Sequence, residues 1–269
     1  MHKHFIWWAP GRLATVIQAS FGSKIRHSLA MGLAVVTGAS RGLGFESAKA
    51  LASAGFDLAM IAKDPTRLNL AQQELIKSFP NQKFTTYQVD LEDMTATRAT
   101  TEKIIANEQT PEILIIAHGV MSEKMSKTLK TNDHEWRRVM SINLDSVFTL
   151  VNGLMPAMVD ARKGRVIIYS ACLGRMSGPG TAGGLAPYRI SKAGVNAFVR
   201  NLAHETGLGS RGVLVDAICP NHSATDMGGP DAPRTAQQGA ATANWLALRE
   251  FNPGDVTGVL WEDNQVVPW

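Results

Sequence analysis

Leu33-Ala34-Val35-Val36 runs straight into Thr37-Gly38-Ala39-Ser40-Arg41-Gly42-Leu43-Gly44, and an alanine-rich stretch from Phe45 to Gly55 follows. A short, continuous apolar run suits a parallel strand buried on both faces. Glycines directly after it allow a tight turn and a close backbone approach, and the next segment has the composition of a packed helix. Strand, glycine turn and helix N-terminus in that order aim backbone N–H groups and the positive helix end at an anion, above all a pyrophosphate. The spacing is not that of a P-loop, since no Gly-Lys-Ser/Thr follows, nor is it Gly-x-Gly-x-x-Gly. An ordinary glycine-rich connection shares this composition, so the rest of the chain has to decide.

The remainder alternates strand-like and helix-like segments, with no internal repeat or low-complexity stretch. Strands are expected at Phe56 to Ile61, Phe84 to Val89, Ile113 to Ala117, Arg165 to Ala171, Val213 to Ile218 and Gly258 to Trp261. Helices are expected at Pro65 to Phe79, Met94 to Asn107, Asp133 to Val159 with a break near Pro156, Tyr188 to Thr206, and Thr235 to Leu248. This alternation predicts an α/β fold: a single, doubly wound parallel sheet with helices on both faces and ligands at the strands' C-terminal ends. The glycine turn, Lys63, Asp90, His118-Gly119, Ser170 to Gly174 and Pro220 to Thr225 all fall at such ends. Each could be a turn or a cap, but six on one rim describe a site.

Tyr188 opens the helix after a glycine-rich loop, and Lys192 lies one helical turn further on the same face. A free phenol, with a pKa near ~10, is a poor acid–base group at neutral pH. A neighbouring ammonium favours the phenolate and brings the pKa toward the working range. A surface helix can show this spacing by accident. Tyr87 and Tyr169 have no lysine so placed, and Ser191, Ala193 and Gly194 leave a small-residue face for close approach.

A chain of 269 residues, 45% hydrophobic and 19% charged, fits one large globular domain. No apolar run is expected to span a bilayer. The net charge of +4 resides in residues 1–30, where Lys3, Arg12, Lys24 and Arg26 meet no acid; the rest balances 23 basic against 23 acidic residues. A neutral body gives no reason to expect nucleic acid. We therefore read residues 1–30 as a basic extension and 31–269 as the domain proper. The extension admits three readings: a segment packed on the domain, an upstream start before Met31, or an organelle transit peptide. The two cysteines, Cys172 and Cys219, show no metal-ligand spacing; buried free thiols in a reducing, cytoplasmic compartment are expected, and no metal site.

The order of these motifs resembles the short-chain dehydrogenase/reductase family from about Gly32 to the C-terminus. Thr37 to Gly44 matches its Thr-Gly-x-x-x-Gly-x-Gly, Tyr188 and Lys192 its Tyr-x-x-x-Lys, Asn143 its helix asparagine, and Asp90 its adenine-side aspartate. Thr225-Asp226-Met227-Gly228-Gly229-Pro230 and the terminal Val-Pro-Trp resemble the carbonyl-reductase branch. The resemblance implies that the sheet is of Rossmann type and binds NAD(P), with hydride exchanged with a small carbonyl or alcohol substrate. Tyr188 would be the proton donor, Lys192 would tune it and hold the nicotinamide ribose, and Asn143 would position a water for proton resupply. Cofactor contacts are implied at Gly38, Ser40, Arg41, Leu43, Gly44, Lys63, Asp90, Leu91, Gly119, Thr225, Tyr188 and Lys192. An acidic residue ending the second strand would hold a free ribose; Ala62-Lys63 stands there, with Arg41 nearby, so NADPH is expected over NADH. Pairing of the apolar helices into a homodimer or homotetramer is also implied.

Three departures stand out. The family's carbonyl-polarising serine, three residues before the glycine after strand five, is Ala171; Ser170 is adjacent, on the opposite strand face unless a bulge intervenes. Its Asn-Asn-Ala-Gly is Ile116-Ala117-His118-Gly119, and its Pro-Gly after strand six is Pro220-Asn221. Ser170, Ser177 or Thr181 would have to replace the missing hydroxyl, or the protein is a slow member or a cofactor-binding sensor.

Overall fold

The structure, a computed structural model, describes residues 32–123, 126–252 and 254–269. The N-terminal extension lies outside the described residues. Among the described residues eight strands form one sheet: β1 (Leu33–Thr37), β2 (Asp57–Ala62), β3 (Phe84–Gln88), β4 (Pro111–Ile116), β5 (Gly164–Tyr169), β6 (Val213–Ile218), β7 (Leu260–Glu262) and β8 (Gln265–Val267). Their spatial order is β3-β2-β1-β4-β5-β6-β7-β8, so the order reverses beside β1 and opens a crevice at its C-terminal end. The first seven are parallel as expected. The last strand corrects the sequence reading: β7 turns back through Asp263 and Asn264, both at positive φ, into an antiparallel β8.

Seven α-helices among the described residues cover the sheet: α1 (Gly42–Ser53), α2 (Pro65–Ser78), α3 (Met94–Asn107), α4 (Asp133–Met140), α5 (Ser146–Asp160), α6 (Ala186–Glu205) and α7 (Ala236–Leu248). Alternation along the strands sorts the core into two layers. Val35, Leu114 and Ile116 face Ile104 of α3, Leu150 and Leu154 of α5, and Val195 of α6. Val36, Ile113 and Ile115 face Leu51 of α1, Leu68 of α2 and Leu246 of α7. Each such aliphatic side chain, fully buried, contributes about 1.5–3 kcal/mol.

The long helix expected from Asp133 is interrupted, though not at Pro156, which α5 contains without ending. The interruption is a single π-helical turn, Ser141–Asp145, between α4 and α5. Among the described residues one stretch, Asp133–Asp160, is long and apolar enough by length and composition to cross a membrane, contrary to the sequence reading; half of its most apolar window is buried in this core.

Candidate active site

At the C-terminal end of β1 the chain turns through Gly38 (φ 64°) and Gly42 (φ 56°), where a side chain would be strained. A Cβ on Gly44 would lie 2.4 Å from the Gly38 carbonyl oxygen, so α1 packs directly on the turn. Helix α1 starts at Gly42, earlier than expected, and no side chain caps it. Its first-turn N–H groups keep their donors and the positive helix end for an anion. They open on a cleft of about 730 Å³ lined by Gly38, Ser40, Arg41, Leu43, Gly44, Lys63, Asp90, Leu91, Gly119 and Thr225. The fold thus gathers ten of the twelve expected cofactor residues around one crevice; the other two, Tyr188 and Lys192, lie beyond Gly119. The cradle a Cβ would fill, the bare helix end and the cations below fit a pyrophosphate-bearing dinucleotide.

The far end of this cleft is cationic, and its cations are held by acids. Lys63 Nζ lies 2.6 Å from Asp90 Oδ2. Burial works against the charge on Asp90, yet Lys63 and the N–H of Glu92 keep its carboxyl below the ordinary value. Arg41 pairs with Asp226, which Arg67 also reaches at 3.1 Å. The Arg41 pKa is lowered, first by burial and then by Arg67. Arg67 is a cation the sequence reading missed; its position in the first turn of α2, four residues after Lys63, was the available signal.

At the near end Tyr188 and Lys192 are buried on one face of α6. Asn143, on the π turn, accepts from Val120 N (2.8 Å) through Oδ1, and donates through Nδ2 to Val120 O (2.9 Å) and Ser191 Oγ (3.0 Å). These bonds hold the Gly119-Val120 segment against α6. A Cβ on Gly119 would sit 3.3 Å from Asn143 Oδ1 and 3.5 Å from Lys192 Nζ, so a larger residue would crowd both. Lys192 Nζ donates to the Tyr169 carbonyl at 2.8 Å, and burial brings its pKa down to about 8. The expected lowering of the Tyr188 pKa is not what the structure shows. Burial pushes the phenol up, with the thiols of Cys219 and Cys172 adding to the rise. Lys192 Nζ stands 6.0 Å from the Tyr188 ring centroid, committed to Tyr169, so it does not offset that rise.

The short chain dehydrogenase family model matches residues 32–235. The chain belongs to this family. It is 33% identical over 195 residues to the 3-oxoacyl-[acyl-carrier-protein] reductase of Escherichia coli (strain K12), spanning 72% of this chain and 75% of that one. It is 30% identical over 194 residues to the enzyme of that name from Staphylococcus aureus (strain Mu50 / ATCC 700699), with the same coverage. Among solved structures it resembles a metagenomic short-chain oxidoreductase in complex with NADP, at 26% identity and a TM-score of 0.69, covering 83% of this chain and 93% of that one. A blue fluorescent protein from a metagenomic library, in complex with NADPH, shares the fold at 24% identity and a TM-score of 0.74, covering 87% of this chain and 96% of that one. The expectation of an NAD(P)-dependent oxidoreductase of the short-chain dehydrogenase family is thereby met.

Within that family the departures acquire a geometry. Ala171 follows β5 in extended conformation, 8% exposed, and leads into a 3₁₀ turn, Cys172–Gly174. Ser170 faces α6: its Oγ is 2.5 Å from Asn196 Oδ1 and 3.2 Å from the Lys192 carbonyl, both acceptors. Its one hydroxyl proton is committed there, as strand alternation predicts, and no bulge returns it to the site. Ser170 therefore sits as a packing group rather than the catalytic candidate the sequence suggested. Ser177 donates to the Trp269 carbonyl and Thr181 to that of Gly178.

His118, noted from sequence only as a departure, is a structural link. Its Nδ1 is 2.7 Å from Thr37 Oγ1, and its Nε2 is 2.7 Å from Ser146 Oγ and 3.0 Å from the Ile142 carbonyl. Burial, then Lys192, brings its pKa down to about 3, so it works as a neutral imidazole. It joins β1, β4 and α5 behind the cleft, where polar contacts from the family's asparagines would otherwise be expected.

Proposed function

We propose that this protein is an NADPH-preferring reductase of a small carbonyl compound, or the dehydrogenase of the corresponding alcohol. The observation that carries the reading is the pairing of two ends in one crevice. A glycine cradle with Arg41, Lys63 and Arg67 stands at one end; Lys192 and Asn143 meet around Gly119 at the other, with Tyr188 one turn before Lys192 on the same face of α6. When bound, NADPH supplies the hydride. The α1 amides would hold its pyrophosphate, and Arg41, Lys63 and Arg67 its 2′-phosphate, with Asp90 and Leu91 beside the adenine and Thr225 toward the nicotinamide. Tyr188 gives its proton to the carbonyl oxygen of the substrate. Lys192 would hold the ribose hydroxyls and, once turned from Tyr169, would bring its charge to bear on the phenol. The side chain of Asn143 is spent on Val120 and Ser191. Its part in proton resupply through Lys192 is therefore to shape the π turn around a water.

A second reading rests on Ala171 and the commitments of Ser170, Ser177 and Thr181: a protein that binds cofactor, has weak or lost chemistry and acts as a sensor. Losing one carbonyl-polarising donor costs about two to three orders of magnitude in turnover elsewhere. The intact Tyr188, Lys192 and Asn143 favour the enzyme. Apolar Phe148 on α5 and Ile190 on α6, 52% and 43% exposed, support a homodimer or homotetramer. Two free cysteines fit a reducing compartment such as the cytoplasm. The test is a screen of aldehydes, ketones and quinones with NADPH and NADH, beside Tyr188→Phe. Turnover lost in that variant supports the reductase; NADPH binding without turnover of any compound supports the sensor.

A further inference from the structure

The chain has two cysteines, 47 residues apart in sequence, and the fold brings them together. Strands β5 and β6 pair up to Tyr169 and Ile218, and Ser170 N donates to the Ile218 carbonyl at 2.8 Å. Cys219 lies one residue beyond β6. The chain turns after Ala171 so that Cys172 N donates to Cys219 Sγ at 2.9 Å. That contact sets the two thiols side by side. Their surroundings differ. Cys219 is 2% exposed in the core beneath α6, whereas Cys172 is half-buried at the edge of that core.

The pair is chemically asymmetric as well. The neighbouring Cys219 holds the Cys172 thiol below its ordinary value against the opposing effect of burial. Glu262 opposes and Arg175 assists. Cys219 is pushed well above the ordinary range, by its bond to Cys172 and by burial. A thiol shifted toward its thiolate, beside a second thiol that keeps its proton, is the arrangement of an attacking and a resolving cysteine.

We propose that Cys172 and Cys219 form an oxidisable dithiol, a modification site for hydroperoxides in the wall of the active site. The Cys172 thiolate attacks the peroxide oxygen, the O–O bond breaks, and the leaving oxygen takes a proton to become water or an alcohol. Cys172 is left as a sulfenic acid. Cys219 sulfur then attacks Cys172 sulfur, the S–O bond breaks, and hydroxide departs as water with the Cys219 proton. Two thiols are oxidised by two electrons and one peroxide is reduced.

The bridge would tie the turn after β5 to the end of β6. That turn packs on α6 at Gly174, where a Cβ would lie 2.6 Å from the Lys192 carbonyl carbon, and both thiols act on Tyr188. Oxidation therefore lowers carbonyl turnover; this consequence rests on the reductase reading above, whereas the dithiol chemistry does not.

The experiment uses the full chain, reduced and freed of reductant, with hydrogen peroxide at neutral pH. Free-thiol titration should fall from two to none. The intact mass should show the loss of two hydrogens within a monomeric chain, restored by dithiothreitol. Cys219→Ser should trap one dimedone adduct at Cys172, and Cys172→Ser should react at least about tenfold more slowly. Where carbonyl turnover is measurable, it should fall as the bridge forms, return on reduction, and persist in peroxide-treated Cys219→Ser before over-oxidation. Two thiols that stay titratable, a bridge found only between chains, or over-oxidation without a bridge would overturn the proposal. Bridge formation in a protein without turnover would leave the dithiol standing and remove the reductase.

Discussion

Asp216 is a carboxylate in the centre of β6, 2% exposed, between Val215 and Ala217. Arg249 Nη2 reaches its Oδ2 at 3.3 Å and also donates to the Val256 carbonyl at 3.0 Å. The guanidinium stands 5.3 Å from the Trp245 ring and 5.4 Å from that of Trp261. Among the described residues Asp216 Oδ1 has no hydrogen-bond partner. Burial raises the Asp216 pKa from 3.8 to about 6, and Trp261 and Arg249 offset this only in part. The folded pKa lies above the unfolded one, so the unfolded chain gives up the proton first as pH rises. The contribution of Asp216 to stability is then full below about pH 4 and is lost as pH climbs past about 6. A rise of two units corresponds to about 3 kcal/mol.

Asp216→Asn keeps the shape and fixes the uncharged state. It should match the wild type near pH 4 and exceed it by about 1–3 kcal/mol at pH 8 in urea unfolding. The competing effect is loss of an anion beside a buried cation, which costs about 3–5 kcal/mol where the pair is net attractive. The structure favours the first outcome because Arg249 keeps the Val256 carbonyl and two indole faces. A variant less stable than the wild type by several kcal/mol at pH 8 would refute the argument and make Arg249–Asp216 a net stabilising pair.

Ala171→Ser, with little added volume, should raise carbonyl turnover about ten- to a hundredfold, below the ~10²–10³ of an oxyanion donor because the turn was not shaped around it. Tyr188→Phe in that background should abolish the gain; no change in turnover, with activity lost instead in Ser170→Ala, would reverse the assignment of the two positions. NADPH should bind at least about tenfold more tightly than NADH, since one charge-assisted phosphate contact is worth ~1.5–3 kcal/mol. Equal dissociation constants, or a preference unchanged in Arg41→Ala, Lys63→Ala, Arg67→Ala, would rule this out. Light scattering at micromolar concentration should give a multiple of the 29.0 kDa chain mass; a monomer would defeat the proposed assembly.

The cofactor half of the site was legible in the sequence because its chemistry is carried by the backbone. Gly38, Gly42 and Gly44 report conformations and close approaches that few other residues allow, and their spacing survives any detail of side-chain packing. Strand ends place Lys63, Asp90 and Gly119 on the same rim for the same reason. The ion pairs joining that rim were not legible. Arg67 and Asp226 are 159 residues apart in sequence, and only the return of the loop after β6 brings them together. The β7–β8 hairpin was missed because its strands have three residues each, too few for alternation to show. The π turn was hidden because its cause is tertiary: Asn143 bonds to Val120 across the cleft, and no local signal separates it from an uninterrupted helix.

Catalytic geometry sits between these cases. Strand alternation alone assigns Ser170 to the α6 face, and the structure agrees, with Asn196 and the Lys192 carbonyl taking its proton. What alternation could not foresee is that the same face receives both thiols, so that Tyr188 is surrounded by groups that raise its pKa while Lys192 is held by Tyr169. An acid with a raised pKa stays protonated across neutral pH, which suits a group that must donate to a carbonyl oxygen. The reverse reaction, taking a proton from an alcohol, needs the phenolate and hence the charge of Lys192 brought closer. On the proposed reading the free protein is poised toward reduction, and Lys192→Met should lower kcat for alcohol oxidation more than kcat for carbonyl reduction, measured at equal cofactor saturation. Equal losses in both directions would show that Lys192 serves only to hold the ribose and leaves the phenol untouched.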